Sequence, residues 1–234
     1  MYNFWGLLMK KNFSCELAYI LGIVLLAMGS ALMAKSNFGV SMIVAPAYIL
    51  HLKVSEYLPF FTFGMAEYTL QALLLVVLIV VMRKFKWYYL FSFVTAVLYG
   101  FALDGVLALA DLVVWDTLAL RIGALAVGLL LCTFAIALLI NTYIAPEVYE
   151  LLVKELSQRW GKPFGRVKIA YDLFSLLLAV VMSIVFFGWW PLQGVGIGTV
   201  VTAFVNGWLI ATFSKWLNKG FNFVDSLPLR KYFS

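Results

Sequence analysis

Residues 17 to 34, LAYILGIVLLAMGSALMA, carry no charged side chain, and comparable runs follow one another along the chain. At 1.5 Å per helical residue such a run, with its flanks, approaches the ~30 Å thickness of a bilayer's hydrocarbon. Several such helices in water would need a large polar shell around them. The chain has none to offer: 12% of its residues are charged and 65% hydrophobic, against about 25% and 45–50% in soluble domains. A soluble fold is excluded, and a single integral membrane domain spanning residues 1–234 follows.

Five further spans can be read off. Tyr57 to Met82 is broken only by Glu67, Trp87 to Leu103 stops at Asp104, and Ile122 to Asn141 opens a run that stays uncharged through Pro146. After Lys168 the only charge before Lys215 is Asp172, and GWWPLQG at 188 to 194 marks an interfacial turn that divides this stretch in two. Six spans place both termini on one side. With the N-terminus inside, the inner face receives Lys10, Lys11, Arg83, Lys84, Lys86, Lys154, Arg159, Lys162, Arg166, Lys168, Lys215, Lys219, Arg230 and Lys231, and the outer face only Lys35, Lys53 and Arg121. The positive-inside rule therefore sets both termini in the cytoplasm, in a bacterial inner membrane. The net charge of +6 is thereby a matter of topology, with the lipid bilayer as partner and no nucleic acid. A cleaved signal peptide is the competing reading of the first 34 residues, but the first run is longer than a usual signal core and has a counterpart later in the chain.

That counterpart belongs to a repeat. IVAPAYIL (43 to 50) resembles YIAPEVYELL (143 to 152), aligning Pro46 with Pro146. FGMAEYTLQALLLVV (63 to 77) resembles FGRVKIAYDLFSLLLAVV (164 to 181), placing Gln71 opposite Asp172, and VTAVLYGF (94 to 101) resembles VTAFVNGW (201 to 208). The offsets of 100, 101 and 107 run in order. Each half reads as span, short Pro-containing segment, span, span. Three spans per half invert the second copy (residues 119–215) relative to the first (15–110), leaving 216–234 as a cytoplasmic tail. Inverted repeats of this kind place a site at their interface, near discontinuous helices. The short segments, Phe38 to Leu52 and Tyr143 to Leu156, are expected either to re-enter the membrane or to lie in its interface. The second, with Glu147, Glu150, Lys154 and Glu155, is expected to turn one face to water.

The second half also carries a family resemblance. Gly161, Lys162, Phe164, Gly165 and Lys168 form a Gly-Lys-x-Phe-Gly-x-x-Lys turn that leads into a span with the early Asp172, and Gly198-Thr199 opens the last helix. In these elements the chain resembles the YczE/YyaS/YitT family of bacterial integral membrane proteins; Gly39 and Ser41 stand where that family has a Gly-x-Ser entering its short helix. The resemblance implies a small-molecule export role and brings no established reaction or cofactor.

Polar groups inside a membrane are costly and are functional candidates. Asp172, Gln71 and Asn206 lie within spans, Glu67 is one turn before Gln71 near the expected outer interface, and Lys168 is placed to pair with Asp172 at i,i+4. These five are the expected substrate-binding residues. Pro46, Pro146, Gly39 and Gly165 are the expected re-entrant or hinge positions. Asp104 and His51 read as solvated interfacial groups. With one His, Cys15 and Cys132 outside any CxxC spacing, and no HExxH, no catalytic or metal set can be assembled, and no cofactor is expected. The leading expectation is a secondary transporter of a small organic molecule, export included. The alternative is a scaffold or substrate-capture subunit that binds a partner protein or lipid and moves nothing. A homodimer stays open.

Overall fold

The computed structural model of the chain describes residues 10–228 and 230. Lys231 and the remainder of the expected tail therefore lie outside the described residues. A short strand β1 (Lys11–Ser14) leads into α1 (Cys15–Ser36), α2 (Ala45–Val54), α3 (Phe63–Met82), α4 (Tyr88–Ala110), α5 (Leu118–Ile140), α6 (Val148–Trp160), α7 (Phe164–Phe187) and α8 (Ile197–Gly220), followed by β2 (Phe221–Val224). The fold is all-helical. Its six long helices have 20 to 24 residues, about 30–36 Å of axis, and all six are long and apolar enough to cross a membrane. Their outward faces carry fully apolar side chains such as Leu73, Val80, Leu177 and Phe204. In water that surface would drive association, whereas lipid is its natural solvent.

The ends of these helices are fixed by local chemistry. Ser14 accepts the Leu17 N–H at 3.3 Å and opens α1, and Asn37 closes it in the left-handed conformation. Thr62 accepts the Met65 N–H at 3.1 Å and opens α3, so the second span begins at Phe63 and not at Tyr57. The third span runs past Asp104 to Ala110. Asp104 can sit inside α4 because its carboxylate accepts the Thr62 hydroxyl at 2.6 Å and the Gly64 N–H at 2.8 Å, capping the neighbouring helix. It is a structural pin between α3 and α4.

The centre of the bundle is the pair α1 and α5. Gly29 lies against Gly128 and Cys132, Gly22 against Ala135 and Leu139, and the Arg121 Nε donates to the Ser36 carbonyl at 2.8 Å. Ascending residue numbers on one helix meet descending numbers on the other, so the two run antiparallel, brought close by the small residues at their contact. Around this pair α1 packs on α4 and α5 on α8, while α2 packs on α7 and α6 on α3.

The two short helices both begin in the middle of the bundle. Tyr149, at the start of α6, packs with Met42 and Ile43, which precede α2. From there α6 runs beside the second half of α3, and Arg159 near its end donates to the Val81 carbonyl. Helix α2 runs the other way, so that His51 reaches the Phe61 carbonyl at 2.9 Å and stacks on Phe63. Each segment thus dips into the bundle and returns to the end it came from. Neither lies flat on it: Ala45, Pro46, Ala47 and Ile49 of α2 and Val148, Tyr149 and Leu151 of α6 are buried. Strands β1 and β2 pair in parallel, so the region from 216 opens with the end of α8 and a strand docked against the start of the chain.

Candidate functional site

The start of α6 reaches the bundle centre with backbone N–H groups that no residue within the helix can satisfy. Its first N–H, from Val148, is taken by the side-chain carbonyl of Gln71 on α3 at 3.0 Å. The amide nitrogen of Gln71 then faces two carboxylates, Glu67 and Glu147, at 3.5 Å each. The Tyr149 hydroxyl donates to Glu67 at 2.9 Å. Glu67 and Gln71 are completely buried and Glu147 is 6% exposed. Three helical turns from two elements thereby concentrate two carboxylates, an amide and a phenol away from water.

Beside this cluster lies a cavity of about 40 Å³, walled by Leu26 and Ser30 of α1, Ser41 and Val44 before α2, Cys132 of α5, Glu147 and Asn206. It has room for about three water molecules, at the roughly 10–15 Å³ each needs. Most of its wall is aliphatic. Asn206 is 6% exposed and its Oδ1 has no hydrogen-bond partner; the same holds for Oε1 of Glu147 and, one side chain behind Tyr149, for Oε1 of Glu67.

Toward the end that carries the termini, the cavity adjoins a vestibule of about 550 Å³. The two share Leu139, Ile140, Pro146 and Glu150, and the mouth carries Lys86, Tyr143, Lys154 and Gln158. The opposite end is shut. There the Gly198 N–H donates to the Phe38 carbonyl at 2.8 Å and the Val40 N–H to the Gly194 carbonyl at 3.3 Å, a backbone clasp between the α1–α2 and α7–α8 connectors. Gly39, at φ +96°, and Gly196 are pressed so closely that a Cβ on either would collide with the facing connector. The two cavities beyond the clasp, of about 350 and 210 Å³, share no lining residue with the central one.

Of the five expected binding residues, the structure brings Gln71 and Glu67 into one cluster and sets Asn206 across the cavity from it. Glu67, four residues after the start of α3, is enclosed by the bundle. Asp172 and Lys168 stand apart as an ion pair at 3.1 Å, with Glu150 at 3.6 Å from the same ammonium. Lys168 therefore answers two carboxylates, of which Glu150 lines the cavity on its vestibule side. Pro46 sits in the first turn of α2 and Pro146 lines the cavity just before α6. Gly39 is part of the clasp, whereas Gly165 faces open space. Sequence reasoning missed Glu147 and Tyr149 as site residues. Both stand in the segment whose charges suggested a face turned to water, and Glu155, also buried, is bound there by Tyr89 at 2.9 Å and Lys86 at 3.0 Å. Among the described residues no group of three or more His, Cys, Asp or Glu could hold a metal ion.

No curated protein and no solved structure matches the chain. A family model does match, over residues 13–215, from β1 to the last turns of α8 and so across all six spans and both half-helices. The chain belongs to a family of unknown function, DUF6198.

Proposed function

We propose that this membrane protein is a secondary transporter of a small organic molecule, bound between two inverted halves and released by alternating access. The observation that carries this reading is the asymmetry about one central cavity. The cavity adjoins a vestibule at one end, with four lining residues in common, while a backbone clasp closes the other. A scaffold would have no need of a buried carboxylate facing such a space, since an unpartnered buried oxygen costs about 1–3 kcal/mol.

The packing supports two inverted halves. Antiparallel α1 and α5 are the first helices of the two repeats; α1 meets α4 as α5 meets α8, and α2 meets α7 as α6 meets α3. The half-helices end at opposite ends of the bundle with their starts together, an arrangement that recurs where transporters bind substrate at mid-membrane. The motif resemblance to the YczE/YyaS/YitT family points toward export. On the positive-inside count the vestibule faces the cytoplasm of a bacterial cell, so the clasped end is the outer one.

The test is reconstitution into proteoliposomes, with currents recorded on a solid-supported membrane against a panel of metabolites and drugs. Saturable flux that is lost in E67Q/E147Q is the expected result. No flux of any solute, while the purified protein still binds ligands, would leave a capture subunit and overturn transport. Cysteines at Asp116 and Gln193 should label from outside intact cells and one at Lys162 should not.

A further inference from the structure

The buried oxygens around the central cavity have a chemistry of their own. Those without partners are all acceptors: Oε1 of Glu147, Oδ1 of Asn206 and Oε1 of Glu67. Gln71 offers nothing to a ligand, because its carbonyl caps Val148 and its amide is turned to the two carboxylates. The α6 start is no anion site, since Gln71 already takes its first N–H and Glu147 stands at its cap. Lys168 is paired with Glu150 and Asp172, and Lys86 of the vestibule with Glu155. Negative charge at the cavity therefore exceeds positive.

We infer that the central cavity binds the ammonium head of a small organic amine, with Glu147 as its counter-ion and Asn206 accepting a further N–H. This rests on reading the cavity as the substrate site. An ammonium has three donors and no acceptor, the complement of the unpartnered oxygens of Glu147 and Asn206. Ca2+ or Mg2+ would demand six or more oxygen ligands, more than the cavity provides, and among the described residues no group of three or more His, Cys, Asp or Glu could hold a metal ion. The mainly aliphatic wall of Leu26, Val44, Cys132 and Ile136 suits the carbon atoms next to the nitrogen. The body of the amine extends past Pro146 into the vestibule, whose space is more than ten times that of the central cavity.

The experiment uses the full-length protein in nanodiscs and titrates butylammonium, butanol, butyrate and sodium chloride at constant ionic strength, reading the unfolding midpoint. A saturable rise with butylammonium alone is expected. Glu147→Gln, which keeps the shape of the side chain, should raise the apparent Kd about tenfold or more. Asn206→Leu should weaken it less. Glu56→Gln, in an exposed pair with Lys53, should leave it unchanged. An equal response to sodium chloride would make the site one for alkali cations and overturn the inference, as would an equal response to butanol, or an unaltered Kd in E147Q. If butylammonium binds as expected but no vesicle flux is seen, the amine site stands and the transporter reading falls. Flux of another solute that butylammonium does not inhibit would do the reverse.

Discussion

The side-chain carbonyl of Gln71 accepts the first backbone N–H of α6, from Val148, at 3.0 Å, across 77 positions of sequence. One residue of a spanning helix thus caps a half-helix that begins in mid-bundle, where no water supplies the missing partner. Because the same amide touches Glu67 and Glu147, the cap and the candidate site are one unit. Gln71→Leu should therefore cost about 1–3 kcal/mol, the penalty of an orphaned buried donor, and lower the unfolding midpoint of the purified protein. Gln71→Glu should do at least as much harm, by adding a third carboxylate to two. An unchanged midpoint in both would mean that water already caps α6.

The pair α1 and α5 holds the centre through glycines, and two glycines aligned by the repeat differ in their surroundings. A Cβ on Gly29 would lie 2.7 Å from the Gly128 carbonyl and 2.8 Å from the Cys132 nitrogen, backbone that cannot step aside. Gly29→Ala should cost about 1–3 kcal/mol, the usual penalty of overpacking. Gly207, aligned by the repeat with the closely packed Gly100, has open space around it. Gly207→Ala should be neutral or should stabilise α8 by up to about 1 kcal/mol. Equal losses at both sites would indicate that α8 packs against a surface outside the single chain.

The same contrast marks how far the sequence could be read. The spans were legible because a run of apolar side chains long enough to cross lipid has few alternatives. Gln71, Glu67 and Asn206 were legible because polar groups in such runs stand out. Glu147 was not, since it lies among Glu150, Lys154 and Glu155, and a charged amphipathic pattern gives the faces of a helix without saying which one turns inward. That is decided by partners far along the chain: Gln71 for the start of α6, and Lys86 and Tyr89 for Glu155. Asp172 stood out for the same reason as Gln71, and its own helix supplies Lys168 one turn away, at 3.1 Å.

On the transporter reading, the clasp between Phe38–Val40 and Gly194–Gly198 is the barrier that a cycle has to open. Two backbone hydrogen bonds and the fit of Gly39 against Gly196 hold it, and a side chain at Gly196 would wedge the connectors apart. Cys132 is a native reporter for this event, because its thiol lines the central cavity and is buried. With Cys15 replaced by serine it is the chain's single cysteine. A small impermeant methanethiosulfonate should then reach Cys132 slowly from the vestibule end and not from the clasped end, in proteoliposomes of known orientation. Gly196→Val should open labelling from the clasped end. Adding butylammonium should protect Cys132 from either side, since its carbon chain would lie against the thiol. Labelling confined to the vestibule end in G196V, with the protein folded, would place the barrier deeper, among Val40, Ile49 and Phe63 of the apolar core.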